Sequence, residues 1–364
     1  LLNRVFMSEK QKILIIRLSS LGDVIFNIPL ANVLKQNGYE ISWLVGEKGL
    51  DVIQNNPCVD KVFFAPVEKW KKNKNIFQNI QEMISIIKDL RKENFDIAID
   101  SQMLMKSILW TKFCGAKRRI IARDAKEFSI IGANEIIPAI KDKFNRNMVN
   151  ANLRFAQYLG LNTEKTTVTL PPSSEEVISK INDLLKELDY SKPIAVVAPT
   201  TTWIGKHWDK ENWKDLIKRI EKDYTLIFTG TKKDEDYINY IGGNRHLSLA
   251  GKTNLKEFIE VLRRADLVIS LDNGATHLAW ATQKPKVLSI FCCTPQGLYA
   301  PIDEKCLTVS TTTCTPCHHR KCKLKNNKYI CTLSKNRKII YHLLILNQYW
   351  LVSLIFKIKR SNNR

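Results

Sequence analysis

The sequence predicts an α/β protein made of two doubly wound parallel-sheet domains. Three observations predict it. The chain has 364 residues, and at roughly 100–200 residues per domain that is room for two. Short apolar runs alternate with longer amphipathic stretches, as a parallel sheet covered on both faces requires. The alternation pauses once, at Leu161–Ser174, in a stretch rich in Thr, Pro and Ser, and then restarts.

In the first half the run Ile13–Leu18 reads as a buried strand, followed by the turn Ser19-Ser20-Leu21-Gly22-Asp23 and a helical pattern from Val24 to Gln36. Ile41–Val45, Val62–Phe64, Ile97–Ile99 and Arg119–Ile121 read as further strands, with crossover-length segments between them. In the second half the strand candidates are Ile194–Val197, Thr225–Phe228, His246–Leu249, Leu267–Leu271 and Val287–Ile290. Helical patterns cover Lys210–Lys222, Asp234–Ile241, Leu255–Arg264 and Ala275–Thr282. The expected domains are residues 12–165 and 166–335, facing one another across a cleft. An apolar, basic tail follows at 336–364. The tail's apolar stretch, Ile339–Phe356, is broken by His342, Asn347, Gln348 and Ser353, which disfavours a membrane span. It reads as a packed terminal helix, an interfacial segment or an out-of-frame extension.

Composition is 44% hydrophobic and 26% charged, which excludes collagen, coiled coil and wholesale disorder. Formal net charge is +21, and 13 of the basic residues lie after Glu304, where no acid occurs. Such a balance suits phosphate-rich partners: nucleic acid, an anionic membrane surface or an acidic substrate. Nine cysteines are too few for a disulfide scaffold. Cys58, Cys114, Cys292, Cys293 and Cys306 read as buried thiols. Cys314, Cys317, Cys322 and Cys331 are clustered near His318 and His319, a set that could ligate structural zinc, stay reduced or form a redox-sensitive disulfide. The first residues contain no signal-length apolar run, so the chain reads as cytoplasmic.

The first turn lacks G-x-G-x-x-G, which disfavours an ordinary dinucleotide site. Gly22 would permit a tight turn, and Asp23 would be a helix N-cap or a carboxylate base. Gly251-Lys252-Thr253 mimics the end of a P-loop, but His246 stands where its first Gly is needed. The second half opens on Thr200-Thr201-Thr202 with Lys206 nearby, hydroxyls and a cation able to meet phosphate oxygens. Leu271-Asp272-Asn273-Gly274-Ala275-Thr276-His277 ends a strand and starts a helix, whose free N–H groups and positive dipole end suit an anion. Lys69-Trp70-Lys71-Lys72 and the set Lys117, Arg118, Arg119, Arg123 and Lys126 suggest that a second, anionic substrate meets the first domain.

Taken in order, Arg17-Leu-Ser-Ser-Leu-Gly-Asp23, Asp100-Ser-Gln-Met-Leu-Met-Lys-Ser107, Thr200-Thr-Thr…Lys206-His-Trp208 and Asp272-Asn-Gly-Ala-Thr-His277 resemble the ADP-heptose:lipopolysaccharide heptosyltransferases, glycosyltransferase family 9. The likeness covers about residues 12–331. The Asp100–Ser107 segment and the basic Trp-containing loop look most like the heptosyltransferase I branch, with II or III, acting on a later core acceptor, as the alternative. A nucleic-acid-binding protein is the rival of another class; it lacks a recognised motif.

The resemblance implies a GT-B fold of two Rossmann-like domains and inverting transfer of heptose from ADP-heptose to Kdo of lipid A at the inner membrane surface. It implies a monomer with no nucleic-acid partner and no required cofactor. Asp23 matches the catalytic base, and Lys206 the cation assisting departure of ADP. Thr201, Thr202, Lys206, Asp272, Asn273, Gly274 and His277 match residues around the donor diphosphate. Asp234 or Glu235 stands where a carboxylate holds the ribose, and Thr253 where adenine is met. Ser20, Gly22, Lys69, Lys71, Lys72 and Lys126 match the acceptor side. The cysteine cluster departs from the best-known members of the branch, and the likeness stops beyond Cys331.

Overall fold

A computed structural model describes residues 10–140 and 147–310, together with 317, 319, 320, 322–324 and 329–332. The tail expected at 336–364 lies outside them, as does Cys314. By contact density the chain divides into two units. The first takes residues up to Lys180 together with 255–260 and 277–283, and the second takes the remainder.

The first unit is built on a six-stranded, wholly parallel sheet. Its strands are β1 (Lys12–Ile16), β2 (Glu40–Val45), β3 (Lys61–Phe64), β4 (Ile97–Asp100), β5 (Arg118–Ala122) and β6 (Glu135–Ile137), in the order β3-β2-β1-β4-β5-β6. The central strands are buried along almost their whole length, so they read as continuous apolar runs rather than alternating ones. The order reverses on either side of β1, whose carboxyl end is therefore a switch point where open α/β sheets place ligands. The helices are α1 (Leu21–Ile25), α2 (Ile28–Gln36), α3 (Glu47–Ile53), α4 (Val67–Lys72), α5 (Ile76–Lys92), α6 (Ile108–Phe113) and α7 (Met148–Tyr158). The helix expected over Val24–Gln36 is broken into α1 and α2 at Asn27. Pro29, in the first turn of α2, has no N–H to extend the ladder of α1. The Asn27 side chain instead donates to Asp23 O at 2.9 Å.

The second unit has its own six-stranded parallel sheet. Its strands are β7 (Ile194–Ala198), β8 (Thr225–Phe228), β9 (Leu247–Ser248), β10 (Leu267–Leu271), β11 (Lys286–Phe291) and β12 (Cys306–Ser310), ordered β12-β11-β10-β7-β8-β9. Over this part of the sequence run α8 (Glu175–Leu185), α9 (Lys210–Ile220), α10 (Glu235–Ile241), α11 (Leu255–Arg264), α12 (Gly274–Thr282) and α13 (Gln296–Tyr299). Here the switch point lies between β7 and β10, and the Thr200 and Asp272 loops leave those two strand ends. The core below them holds Trp208, Trp213, Phe228, Leu271 and Ile290, together with Cys292, Cys293 and Cys331. The edge strands β6 and β12 were not expected from the sequence. Glu135-Ile-Ile137 is three residues long, and Cys306–Ser310 is mostly half-buried, so neither carries a strong apolar run.

Candidate functional site

In the first unit the chain leaves β1 at Arg17, a guanidinium only 5% exposed. Its Nη2 lies 3.0 Å from Asp23 Oδ1, and its Nη1 donates to Ser101 O. The other oxygen of Asp23 accepts from Ser20 N–H at 3.1 Å and from the Ser20 hydroxyl at 2.8 Å. Asp23 is thus not the N-cap of α1. Ser20 occupies that position, and Asp23 sits at the third helical residue and reaches back to it. Burial pushes the Asp23 carboxyl up, but the Arg17 charge and the Ser20 hydrogen bonds outweigh it and hold the group below its ordinary range. The side chain remains 27% exposed. The result is a fixed, ionised carboxylate with access to solvent.

A second layer fixes this turn. Gln102 Oε1 accepts the N–H groups of Leu18 and Ser19 at 2.9 and 3.1 Å. Asp100 is fully buried and accepts from Met103 N and the Thr111 hydroxyl, which shapes the loop after β4. Burial raises the Asp100 carboxyl. That loop presents Lys106, whose ammonium donates to the Ser19 hydroxyl. Partial burial and the charges of Arg17 and Lys71 push Lys106 below its ordinary range. Lys106 was not singled out from the sequence. The signal was its place in the Asp100–Ser107 motif, where it looks like any lysine until the fold brings that loop beside Ser19.

Gly22 has a reason to be glycine different from the tight turn expected: its φ is not left-handed. A Cβ there would lie 2.9 Å from Cδ2 of His277, a residue that also belongs to the first unit. The buried His277 ring meets Phe26 edge-on at 4.6 Å. Of the basic candidates, Lys69 pairs with Glu82 at 2.7 Å and Lys71 with Glu68 at 3.1 Å, on and beside α4. Trp70 stacks on Trp110 and donates to Glu82, tying α4 to α5 and α6. Lys72 is exposed at the end of α4. Lys126 is exposed too, and its N–H is bonded to Met103 O at 3.1 Å.

In the second unit Lys206 and Asp272 come together from two loops, Nζ to Oδ2 at 2.7 Å. Asp272 is buried, and its carboxylate also accepts the Thr294 hydroxyl at 2.6 Å. A buried carboxylate so placed is the counter-charge that orients Lys206, and it would repel a phosphate. Lys206 also lies over the Trp203 ring, 4.8 Å from its centroid. Asn273 links the two loops. Its Nδ2 donates to Thr200 O at 2.8 Å, while its Oδ1 accepts from Ala275 N at 2.9 Å, capping α12. The Ala275 amide, one of the anion donors expected, already has an acceptor inside the loop. Thr202 is exposed, and Thr201 O is 2.7 Å from His207 Nε2.

The remaining donor-side candidates lie at the ends of β8 and β9. Asp234 Oδ2 accepts from the Thr231 N–H and hydroxyl, both at 2.7 Å. That engagement leaves Glu235, exposed at the start of α10, as the freer carboxylate of the two. Thr253 is half-buried after a turn in which Gly251 has φ +67°. The Gly251 amide donates to Gly230 O at 2.9 Å, holding the two strand ends together.

Among the described residues no group of three or more His, Cys, Asp or Glu is arranged to hold a metal ion. The four-cysteine set cannot be assembled from them, since Cys314 lies outside. Cys331 is buried in the core, with its thiol toward Gly205 O, and Cys317 packs against the same core. Among the described residues no helix is long and apolar enough to cross a membrane.

Known proteins resemble this chain over most of its length. It is 29% identical over 312 residues to a lipopolysaccharide heptosyltransferase 1 of Campylobacter coli, covering 78% of this chain and 84% of the relative. It is 25% identical over 292 residues to a lipopolysaccharide heptosyltransferase 3 of Escherichia coli, covering 78% and 83%. The fold is similar to that of the E. coli heptosyltransferase WaaC solved with ADP, with TM-score 0.70 and 21% identity over 91% of this chain and 99% of that one. The family model of glycosyltransferase family 9 (heptosyltransferase) matches residues 83–328, more than half of the chain. With that match laid over two parallel-sheet units, the chain belongs to glycosyltransferase family 9, the heptosyltransferases, and is a glycosyltransferase.

Proposed function

We propose that the protein transfers heptose from ADP-heptose to the Kdo sugar of lipid A, with inversion, at the cytoplasmic face of the inner membrane. The observation that carries the reading is the ionised Asp23, held by Arg17 and Ser20 with Lys106 beside it. An acceptor hydroxyl gives its proton to Asp23 as its oxygen attacks the anomeric carbon, and the bond from that carbon to the ADP oxygen breaks. A carboxylate held below its usual pKa is a weak base at neutral pH. It serves when proton transfer is late and the transition state is oxocarbenium-like.

The leaving diphosphate gains charge as the bond breaks. Lys206, oriented by Asp272, and the hydroxyls of Thr201 and Thr202 are assigned to it, together with the amides of Asn273 and Gly274. Each preorganised donor of this kind is worth about 3–4 kcal/mol. Glu235 is assigned to the ribose, with Asp234 shaping its turn, and Thr253 to the adenine. Lys106, Lys71, Lys69, Lys72 and Lys126 are assigned to the anionic acceptor. The geometry supports this: the Lys106 ammonium donates to the Ser19 hydroxyl in the turn that carries Asp23, and burial first, then the charges of Arg17 and Lys71, lower its pKa.

The test is release of ADP from ADP-heptose with Kdo-lipid A, compared with an acceptor that already bears one heptose. Turnover of the first alone supports the reading. Turnover of the second alone assigns the chain to a later core step, which the match to a heptosyltransferase 3 keeps as the alternative.

A further inference from the structure

The first unit exposes large apolar side chains on neighbouring elements. On α5, Ile76 and Phe77 are 71% and 70% exposed, and Ile80 and Ile84 continue the same face at helical spacing. Met105, Leu109 and Phe113 follow at four-residue steps through α6 and the turn before it. Phe128, 85% exposed, and Ile131 stand on the turn Ser129–Gly132 and just before it. These elements are contiguous: α5 packs on α6, and Gly132 sits so close to Ile108 O and Thr111 that a Cβ there would touch both. A soluble enzyme gains nothing by leaving so many large apolar groups in water on adjoining elements.

Lysines stand on the same elements and the turns beside them. Lys112 lies over the Phe113 ring, 5.7 Å from its centroid. Of the nearby carboxylates, Glu82 is held by Lys69 and Trp70 and Glu68 by Lys71, while Glu127 accepts the Met105 amide and keeps its charge. Lys72, Lys74, Lys112 and Lys126 have no carboxylate partner among the described residues. Exposed apolar side chains with ion-pair-free lysines on the same elements match an anionic bilayer surface, where the rings enter the acyl boundary and the ammonium groups stay with the headgroups. We infer that the faces of α5 and α6 and the turn at Phe128 form a membrane-docking surface for anionic phospholipid. This deepens the proposed function, in which the acceptor is a lipid, because α4 and the Lys106 loop adjoin the same surface.

The experiment is co-sedimentation of the full chain with vesicles of phosphatidylethanolamine and phosphatidylglycerol, against vesicles of phosphatidylcholine. The expected result is binding to the anionic vesicles that weakens with salt. Phe77→Ser, Leu109→Ser and Phe128→Ser together should lower partitioning by at least about tenfold, and Lys112→Gln by about fivefold. These positions are exposed, so unchanged circular dichroism and melting are expected. Equal binding to both vesicles, or unchanged partitioning of the triple variant, overturns the inference. So does a dimer that the triple variant loses, without vesicle binding. Transfer to a deacylated, water-soluble acceptor should be unchanged in the triple variant, while transfer to acceptor embedded in vesicles falls. If the wild type transfers nothing to either acceptor, the functional reading fails and the partitioning result stands by itself.

Discussion

Replacing Asp23 by Asn separates the chemistry of this carboxylate from its structural part. The amide keeps an oxygen able to accept from the Ser20 N–H and hydroxyl, and loses the charge that faces Arg17. Two magnitudes follow. A general base is worth about 10²–10⁴-fold in rate. Because Arg17 and Ser20 hold the Asp23 carboxyl below its ordinary range, the lower end, about 10²-fold in kcat, is expected. Breaking a fully buried ion pair costs about 3–5 kcal/mol. With Asp23 27% exposed, solvent reduces this to about 2 kcal/mol, or roughly 4–8 °C in Tm for a unit of this size.

The sign with pH is fixed by the direction of the shift. A carboxyl depressed in the folded state adds stability above its unfolded pKa of about 3.9, and that stability is lost as pH falls through the lower folded value. The Tm difference between wild type and variant should therefore be constant from neutral pH to about pH 5 and close at stronger acid. The assays are steady-state ADP release below the melting range, calorimetry of ADP binding, and melting curves over pH. A variant that keeps wild-type kcat would refute the base. Loss of ADP affinity in step with kcat would mean that Asp23 acts only through structure.

On the donor side, Lys206→Ala should raise KM for ADP-heptose at least about tenfold and lower kcat as well, since it removes a cation from ground and transition states alike; an unchanged kcat removes Lys206 from leaving-group assistance. Lys106→Ala should weaken the anionic acceptor by about tenfold and leave ADP binding alone, as acceptor titrations and calorimetry would show. Because the Lys106 ammonium titrates below an ordinary lysine, acceptor affinity should also fall at a lower alkaline pH than a free lysine would give; a flat profile through that range argues against it. Gly49→Ala tests packing: its Cβ would lie 2.8 Å from methyls of both Val24 and Val45. Overpacking of this kind costs about 1–3 kcal/mol, and an unchanged Tm would show that α3 can shift away from the sheet.

The buried strands were legible because a parallel sheet covered on both faces needs unbroken apolar runs. Thr225–Phe228 and Leu267–Leu271 match their expected bounds. β6 and β12 were not, because an edge strand is paired on one side only and tolerates a sequence such as Glu135-Ile-Ile137. The loops after β1, β7 and β10 stood out as hydroxyls, glycine and charge placed at strand ends. What those residues do was harder to read. Asp272 looked like a phosphate contact, because sequence spacing does not reveal that Lys206 and Thr294 converge on it. Gly22 looked like a turn glycine, and its constraint is the His277 ring, more than two hundred and fifty residues away in the chain. Lys106 was hidden for the same reason: its importance comes from the Ser19 hydroxyl on another strand's loop.

One amide side chain, Asn273, serves two masters. Because it fastens the backbone at Thr200 and also caps α12, neither segment can drift alone, and the two loops are set as one piece. If these loops hold the donor diphosphate as proposed, change that retunes the nucleotide has little freedom there. On the same proposal, such change is expected to collect instead at Glu235 and Thr253, the positions assigned to ribose and adenine, which Asn273 does not fasten.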